Sequence, residues 1–417
     1  MKRYSEYKDS GVKWIGEIPG HWNAVSLKRV VKLINEKSNE QNIPYIALEN
    51  IESFTGKILP LNEIEPDSIC NKFKKDDVLF CKLRPYLTKC VSPSFDGKCT
   101  SELLVLRNFN GVANYLKYTL LSPRLVMDIN ASTYGAKMPR ANWNYIGLCR
   151  VPLPPLPEQE AIVTYLDTKV AKIDEYISIA EKKIAALEEL KQTIIAEAVT
   201  RGIHKEVPMK DSGVKWIGEI PGHWDLKRTA MLFSENRKKN INYEFDHALK
   251  FNYGKLVSKN EIGDVSSLKE TYMAYTIINK NDIAINCLNL NYDFVSQRVA
   301  ISPQKGIITS AYLIITPRQG VEAMYYNYLF KAMDSKKLFH GMGTGIRLTL
   351  SFSELKKQQI PIPPLYEQQE IVTYIEAKVA NINQLCQAER SQIEKLKEYK
   401  QRLISDVVTG KVKVTND

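Results

Sequence analysis

Two stretches of the chain carry apolar residues at alternating steps of four and three. The first runs Ile162, Leu166, Val170, Ile173, Ile177, Ala180, Ile184, Leu187, Ile194 and Ala198; the second runs Ile371, Ile375, Val379, Ile382, Cys386, Ile393, Leu396, Leu403 and Val407. Such a heptad seam predicts coiled-coil helices, and Gly202 and Gly410 are placed to end them. Each helix would be about 60 Å long for roughly 40 residues at 1.5 Å per residue, too long to fold inside one small domain. Each therefore needs a partner, and its twin is the obvious candidate. The extended run Pro152-Leu153-Pro154-Pro155-Leu156-Pro157 leads into the first helix, and Pro157, Glu158 and Glu160 suit its first turn. Elsewhere, short apolar runs such as Val78-Leu79-Phe80 and Ile283-Ala284-Ile285 alternate with Gly, Pro and Asn turns, which predicts α/β (α+β) heads.

The chain is written twice. Lys8 to Trp22 recurs unchanged as Lys210 to Trp224, and Val151 to Asp174 returns, altered, as Ile360 to Asn383. Between these anchors the halves diverge, with weak echoes: Thr100-Ser101 before an apolar strand matches Thr309-Ser310, and Tyr115-Leu116 and Tyr328-Leu329 each open a helical stretch. The plan is a first head over 1–150, a Pro-rich entry and long helix over 151–207, a second head over 208–359, and a second entry and helix over 360–417. If the helices pack together, connectivity makes them antiparallel, with a head at each end and a pseudo-twofold between the halves. That arrangement suits a ruler between two DNA half-sites.

Charge narrows the choice of partner. The chain has 58 Lys+Arg against 47 Asp+Glu, a formal net charge of +11, which favours a polyanion; an ordinary basic protein is the plain alternative. Seven cysteines without a CxxC pair fit reduced thiols in the cytoplasm. The first residues lack the apolar stretch of a signal peptide, and no apolar run approaches the roughly 18 residues of a membrane span.

Taken together, these features resemble the specificity subunit of a Type I restriction-modification system. The marks are the doubled Pro-Pro-Leu-x-Glu-Gln entry (Pro154 to Gln159, Pro363 to Gln368), the Trp-Ile-Gly-Glu-Ile-Pro-x-x-Trp opening of each half, Lys75 to Phe80 with Lys82 to Leu87, and the glycine loops before each entry. The resemblance implies two target-recognition domains, each reading one half of a split site on double-stranded DNA. It implies helices that hold two methyltransferase subunits, which carry S-adenosylmethionine and methylate adenine, and separate restriction subunits for cleavage. It implies no catalysis and no cofactor bound by this chain. The second head departs from the pattern, because Lys82-Leu83-Arg84-Pro85 has no clear counterpart near Cys287 to Asn291.

Rival readings remain open on sequence. Phe339-His340-Gly341-Met342-Gly343 matches a methyltransferase cofactor loop on paper, but follows a polar, Lys-rich stretch instead of a buried strand. Pro66-Asp67 with Asp96-Gly97-Lys98 loosely fits a metal-nuclease pattern. A coiled-coil adaptor that binds proteins at both ends is the third class. For DNA contacts the first head offers Lys82, Arg84, Tyr86 and Lys89 in one basic and aromatic stretch, and Lys137, Arg140 and Asn142 in a glycine-hinged loop. The second head offers Asn289, Gln297 and Arg298, then Arg347 and Thr349 in its own glycine loop. Arg can bond guanine bidentately, Asn and Gln suit adenine, and Lys and Thr can hold phosphates.

Overall fold

The computed structural model describes residues 2–61, 69–259, 265–343 and 348–415. It forms two compact units. One comprises Met1–Glu181 with Glu389–Asp417, the other Lys182–Ala388. Each long helix is therefore shared between them: Leu156–Arg201 and Leu365–Val408 begin in one unit and end in the other.

The first unit opens on an antiparallel hairpin, Tyr7–Asp9 with Glu17–Pro19. Asn23–Ser26 then pairs with Arg150–Leu153, the strand that leads into the long helix. Between these two strands lies the head. Its four-stranded antiparallel sheet has the order Lys32–Ile34, Leu103–Arg107, Val78–Cys81, Cys90–Val91. A second four-stranded sheet holds Lys37–Ser38, Cys70–Phe73, Gly97–Cys99 and Tyr45–Ile46. Phe73, Leu79, Cys81, Val91, Leu103 and Val105 form the core where these sheets meet.

The second unit repeats the plan: hairpin Met209–Asp211 with Glu219–Pro221, then Asp225–Arg228 paired with Gln359–Ile362. Its main sheet has the same connectivity as the first, in the order Phe233–Glu235, Leu313–Pro317, Ile283–Ile285, Val299–Ile301. Where the first unit has a second four-stranded sheet, this one has a separate hairpin, Leu249–Asn252 with Lys255–Ser258, and a pair, Thr276–Ile278 with Gly306–Ile308.

The Pro-Pro-Leu-x-Glu-Gln entries explain why each half begins and ends alike. Glu158 accepts hydrogen bonds from Trp22 Nε1 (3.1 Å) and Tyr4 (2.7 Å) and pairs with His21 at 2.5 Å. Glu367 accepts from Trp224 Nε1 (2.7 Å) and pairs with His223 at 2.6 Å. The neighbouring glutamine closes the other side. Gln159 donates to Pro154 O and accepts from Val112 N; Gln368 donates to Pro363 O and accepts from Glu322 N. Trp22 and Trp224 are fully buried. Each also faces the end of a helix: a Cβ at Gly410 would lie 2.9 Å from the Trp22 ring, and one at Gly202 3.2 Å from the Trp224 ring. Both glycines have φ of +74°. Only glycine takes that conformation and that approach without cost.

Within each unit the start of one long helix lies antiparallel to the end of the other. In the first, Lys400 Nζ donates to Asp174 Oδ1 at 2.6 Å, and Tyr115 OH bonds Pro152 O and Val408 O. In the second, Lys191 Nζ donates to Asn383 Oδ1 at 3.4 Å, and Tyr325 OH bonds Val199 O. This corrects one sequence echo. Tyr115 matches Tyr325, not Tyr328, because both hydroxyls cap the last turn of a long helix. The helices that carry them, Ala113–Leu120 and Ala323–Ser335, begin earlier than the echo suggested.

Candidate nucleic-acid interface

In the first unit the two loops singled out in the sequence are paired with each other. Ala141 N donates to Lys82 O (2.9 Å), Arg84 N to Pro139 O (2.7 Å), and Leu83 bridges Arg140 in antiparallel fashion. The Arg84 guanidinium reaches Lys137 O at 3.3 Å. Arg84 and Thr88 both have φ of +48° and bracket the turn Pro85–Leu87. Pro85 fixes the start of that turn, which leaves Tyr86 exposed beside the equally exposed Tyr134, Lys137 and Met138. The pairing thus brings the half-buried Lys82 and Arg84 into the same pair of loops as the exposed Tyr86 and Lys137.

Other candidates in this unit hold the frame. Arg140 forks onto Glu102, with Nη2 at 2.9 Å, so its charge is offset. Lys89 Nζ donates to Leu48 O at 2.7 Å. The Asn142 side chain caps the short helix Trp143–Ile146 by accepting from Asn144 N.

The second unit builds the same pairing from different residues. Leu350 N donates to Cys287 O and Leu290 N to Leu348 O. The counterpart of Lys82 to Pro85 is therefore a backbone one, the loop after strand Ile283–Ile285, and it keeps none of the basic side chains. Asn289 there has φ of +53° and is exposed, as are Gln297 and Thr349. Arg347 lies outside the described residues.

Arg298 requires a correction. It is fully buried, and its guanidinium donates to the carbonyls of Asn286, Leu288, Asn289 and Asp293, at 3.2, 2.7, 3.4 and 2.6 Å. Its own N–H donates to Asp334. A buried guanidinium is tolerated only where its donors are satisfied, and here four loop carbonyls supply most of that satisfaction. Arg298 shapes the loop from beneath and cannot touch DNA. At the loop's far turn, hydrogen bonds from the Ser296 side chain and backbone hold the Asp293 carboxyl down at about 2.

Sequence reasoning missed the tip of hairpin Leu249–Ser258. Asn252 and Lys255 pair across it, leaving Tyr253-Gly254 as a two-residue turn. The signal was present, an alternating run interrupted by an X-Gly pair. The rival chemistries gain no structural support. Phe339 to Gly343 follows the helix Ala323–Ser335, not a strand. Lys98 is buried and donates to Glu40 O, and Pro66-Asp67 lies outside the described residues. Among the described residues, no three His, Cys, Asp or Glu are grouped to hold a metal, and no helix is long and apolar enough to cross a membrane.

The family model for the Type I restriction modification DNA specificity domain matches residues 209–395. A putative type I restriction enzyme MjaX specificity subunit from Methanocaldococcus jannaschii is 24% identical, over 98% of both chains. Over its whole length this chain is similar to Type I specificity subunits, and residues 209–395 match the specificity-domain model. The EcoDI specificity subunit of Escherichia coli is also 24% identical, over 54% of this chain and 48% of its own length. Among solved structures, a chain of a type I R-M system superposes with a TM-score of 0.69 at 18% identity, covering 94% of this chain and 98% of that one. The HsdS subunit from Thermoanaerobacter tengcongensis gives 0.52 at 18%, covering 95% and 98%. The specificity-subunit fold, two mixed α/β heads with two long helices in an internal repeat, is therefore the fold of this chain.

Proposed function

We propose that this specificity subunit reads a split site on double-stranded DNA, each head contacting one half, and performs no chemistry itself. The observation that carries this is the pairing of two divergent loops at the same place on two near-identical frames. The frame is fixed by Trp22 with Glu158 and by Trp224 with Glu367; the loops it presents differ in every candidate contact residue. A fixed support with a varied tip is the arrangement expected of a reader with two targets. Lys82, Arg84, Tyr86 and Lys137 read the first half-site, and Asn289, Gln297 and Thr349 the second. Two methyltransferase subunits, working in the cytoplasm with S-adenosylmethionine, pack on the long helices and methylate adenine, and restriction subunits join them for cleavage.

The test is a methylation map of the chain co-expressed with its methyltransferase. Arg84→Ala should relax recognition in one half-site only, at a base-contact cost of roughly 1–3 kcal/mol. Equal relaxation of both halves would make Arg84 a folding or general phosphate residue. Binding of the full chain to duplex DNA should also weaken steeply with salt, as a protein-binding adaptor would not require.

A further inference from the structure

The hairpin Leu249–Ser258 ends in a turn whose two central residues both have positive φ, Tyr253 at +46° and Gly254 at +69°. Such turns favour Asn-Gly or Asp-Gly, because a bulky L-residue in the left-handed region is strained. Tyrosine is thus a poor choice for stability at this position. Nor is its ring used in packing: Tyr253 is 92% exposed. Strain retained without a packing return points to contact with something outside the chain.

Two further observations say what that is. Gly254 sits against the Gln297 side chain, so tightly that a Cβ there would run into it. The tip is therefore part of the same surface as the proposed reading loop, whose Tyr292 and Val295 are 80% and 92% exposed. Lys255 follows the turn and is exposed, and Lys331 lies on the helix Ala323–Ser335. Burial, and then the charges of Lys255 and Lys191, push the Lys331 ammonium down to about 8. Lys191 is paired with Glu188, whereas no carboxylate pairs with Lys255 or Lys331 among the described residues. Ammonium groups without a paired carboxylate suit a phosphodiester backbone.

We propose that this hairpin is a DNA-contacting finger of the second head, with Tyr253 packing its ring on a base of the second half-site and Lys255 and Lys331 holding the adjacent phosphate. The proposal rests on the function proposed above and adds a contact that the loop comparison does not supply. It is tested with the full chain and a duplex carrying its methylation-mapped site. Tyr253→Asn keeps the turn and suits its backbone better, so the variant should fold at least as well as the parent by thermal melting. Its affinity for the duplex should fall on the order of 10-fold to 100-fold, the scale of a lost base–aromatic contact, and the methylation map should relax in the second half-site alone. Tyr253→Phe should retain the parent's affinity. Lys255→Ala with Lys331→Ala should weaken binding to all duplexes and flatten its salt dependence. Parent-like affinity and map in Tyr253→Asn would overturn the proposal. Parent-like DNA binding with lost assembly onto the methyltransferase would also overturn it, assigning the hairpin to a protein contact. If the parent chain binds no duplex at all, the proposed function fails with it.

Discussion

The two units contain the same small construction in two electrostatic states. In the first, a turn with Phe54 at φ +66° ends in Lys57, which pairs with Asp174 at 2.7 Å, while Asp174 also accepts from the buried Lys400. In the second, the turn with Tyr253 ends in Lys255, and the carboxylate's place on the long helix is taken by Asn383, bonded to Lys191. One acid neutralises two lysines in the first unit. The second has an uncharged amide there, and its Lys191 pairs instead with Glu188 on its own helix. Phe54 is also tied back, its N–H donating to Thr88 O, whereas Tyr253 projects. The comparison teaches that the repeat preserves backbone geometry more faithfully than charge. A frame needs its hydrogen bonds, while the charge displayed on it is free to follow the ligand.

The sharpest way to break the comparison is at the frame. Trp22→Ala and Trp224→Ala each remove a fully buried indole, and each should cost about 3–5 kcal/mol. Hydrogen exchange resolved by unit should show the loss confined to the unit that carries the change, and of similar size in both. A large difference would mean that the identical stretches do unequal work.

Next comes Arg298→Met, which removes a buried donor to four carbonyls of a single loop. It should destabilise the second unit by about 3 kcal/mol and abolish recognition of one half-site while leaving the other intact. Among the described residues the first half has no equivalent buried arginine beneath its loop, where Pro85 and the left-handed Arg84 and Thr88 set the turn. A methylation map that kept both half-sites would show that the loop does not depend on its support.

The charge difference is tested by Asp174→Asn, which gives the first unit the second unit's chemistry. Burial raises the Asp174 carboxyl, and hydrogen bonds from Lys400 and Lys57 more than offset it, so the net shift is downward. A depressed carboxyl stabilises the fold above its ordinary value of about 4, and that contribution is lost as pH falls through the lowered one. The substitution should cost about 2 kcal/mol at neutral pH, shrinking toward nothing as the parent titrates below about pH 4. Denaturation followed across that window would show it, and a cost independent of pH would assign the effect to packing. The smallest effect is expected from Tyr325→Phe, which loses one buried bond to Val199 O and should cost about 1 kcal/mol by chemical denaturation.

The repeat, the two long helices and their glycine ends were legible in the sequence because each is a local matter. Helical periodicity and glycine's left-handed preference act over a few residues and leave a pattern in the order of side chains. The loop pair of the first head was legible too, as composition: Lys82 to Lys89 and Tyr134 to Asn142 stand out as basic and aromatic. That they pair with each other, Ala141 to Lys82 and Arg84 to Pro139, was decided by tertiary structure. So was the fate of individual charges. Arg84 and Arg298 look alike in sequence, yet one is half-buried and reaches Lys137 O at an exposed loop, and the other is fully buried under four carbonyls. Whether a guanidinium faces solvent or is sealed inside depends on whether distant backbone oxygens converge to replace its water. That convergence exists only once the chain has folded around it.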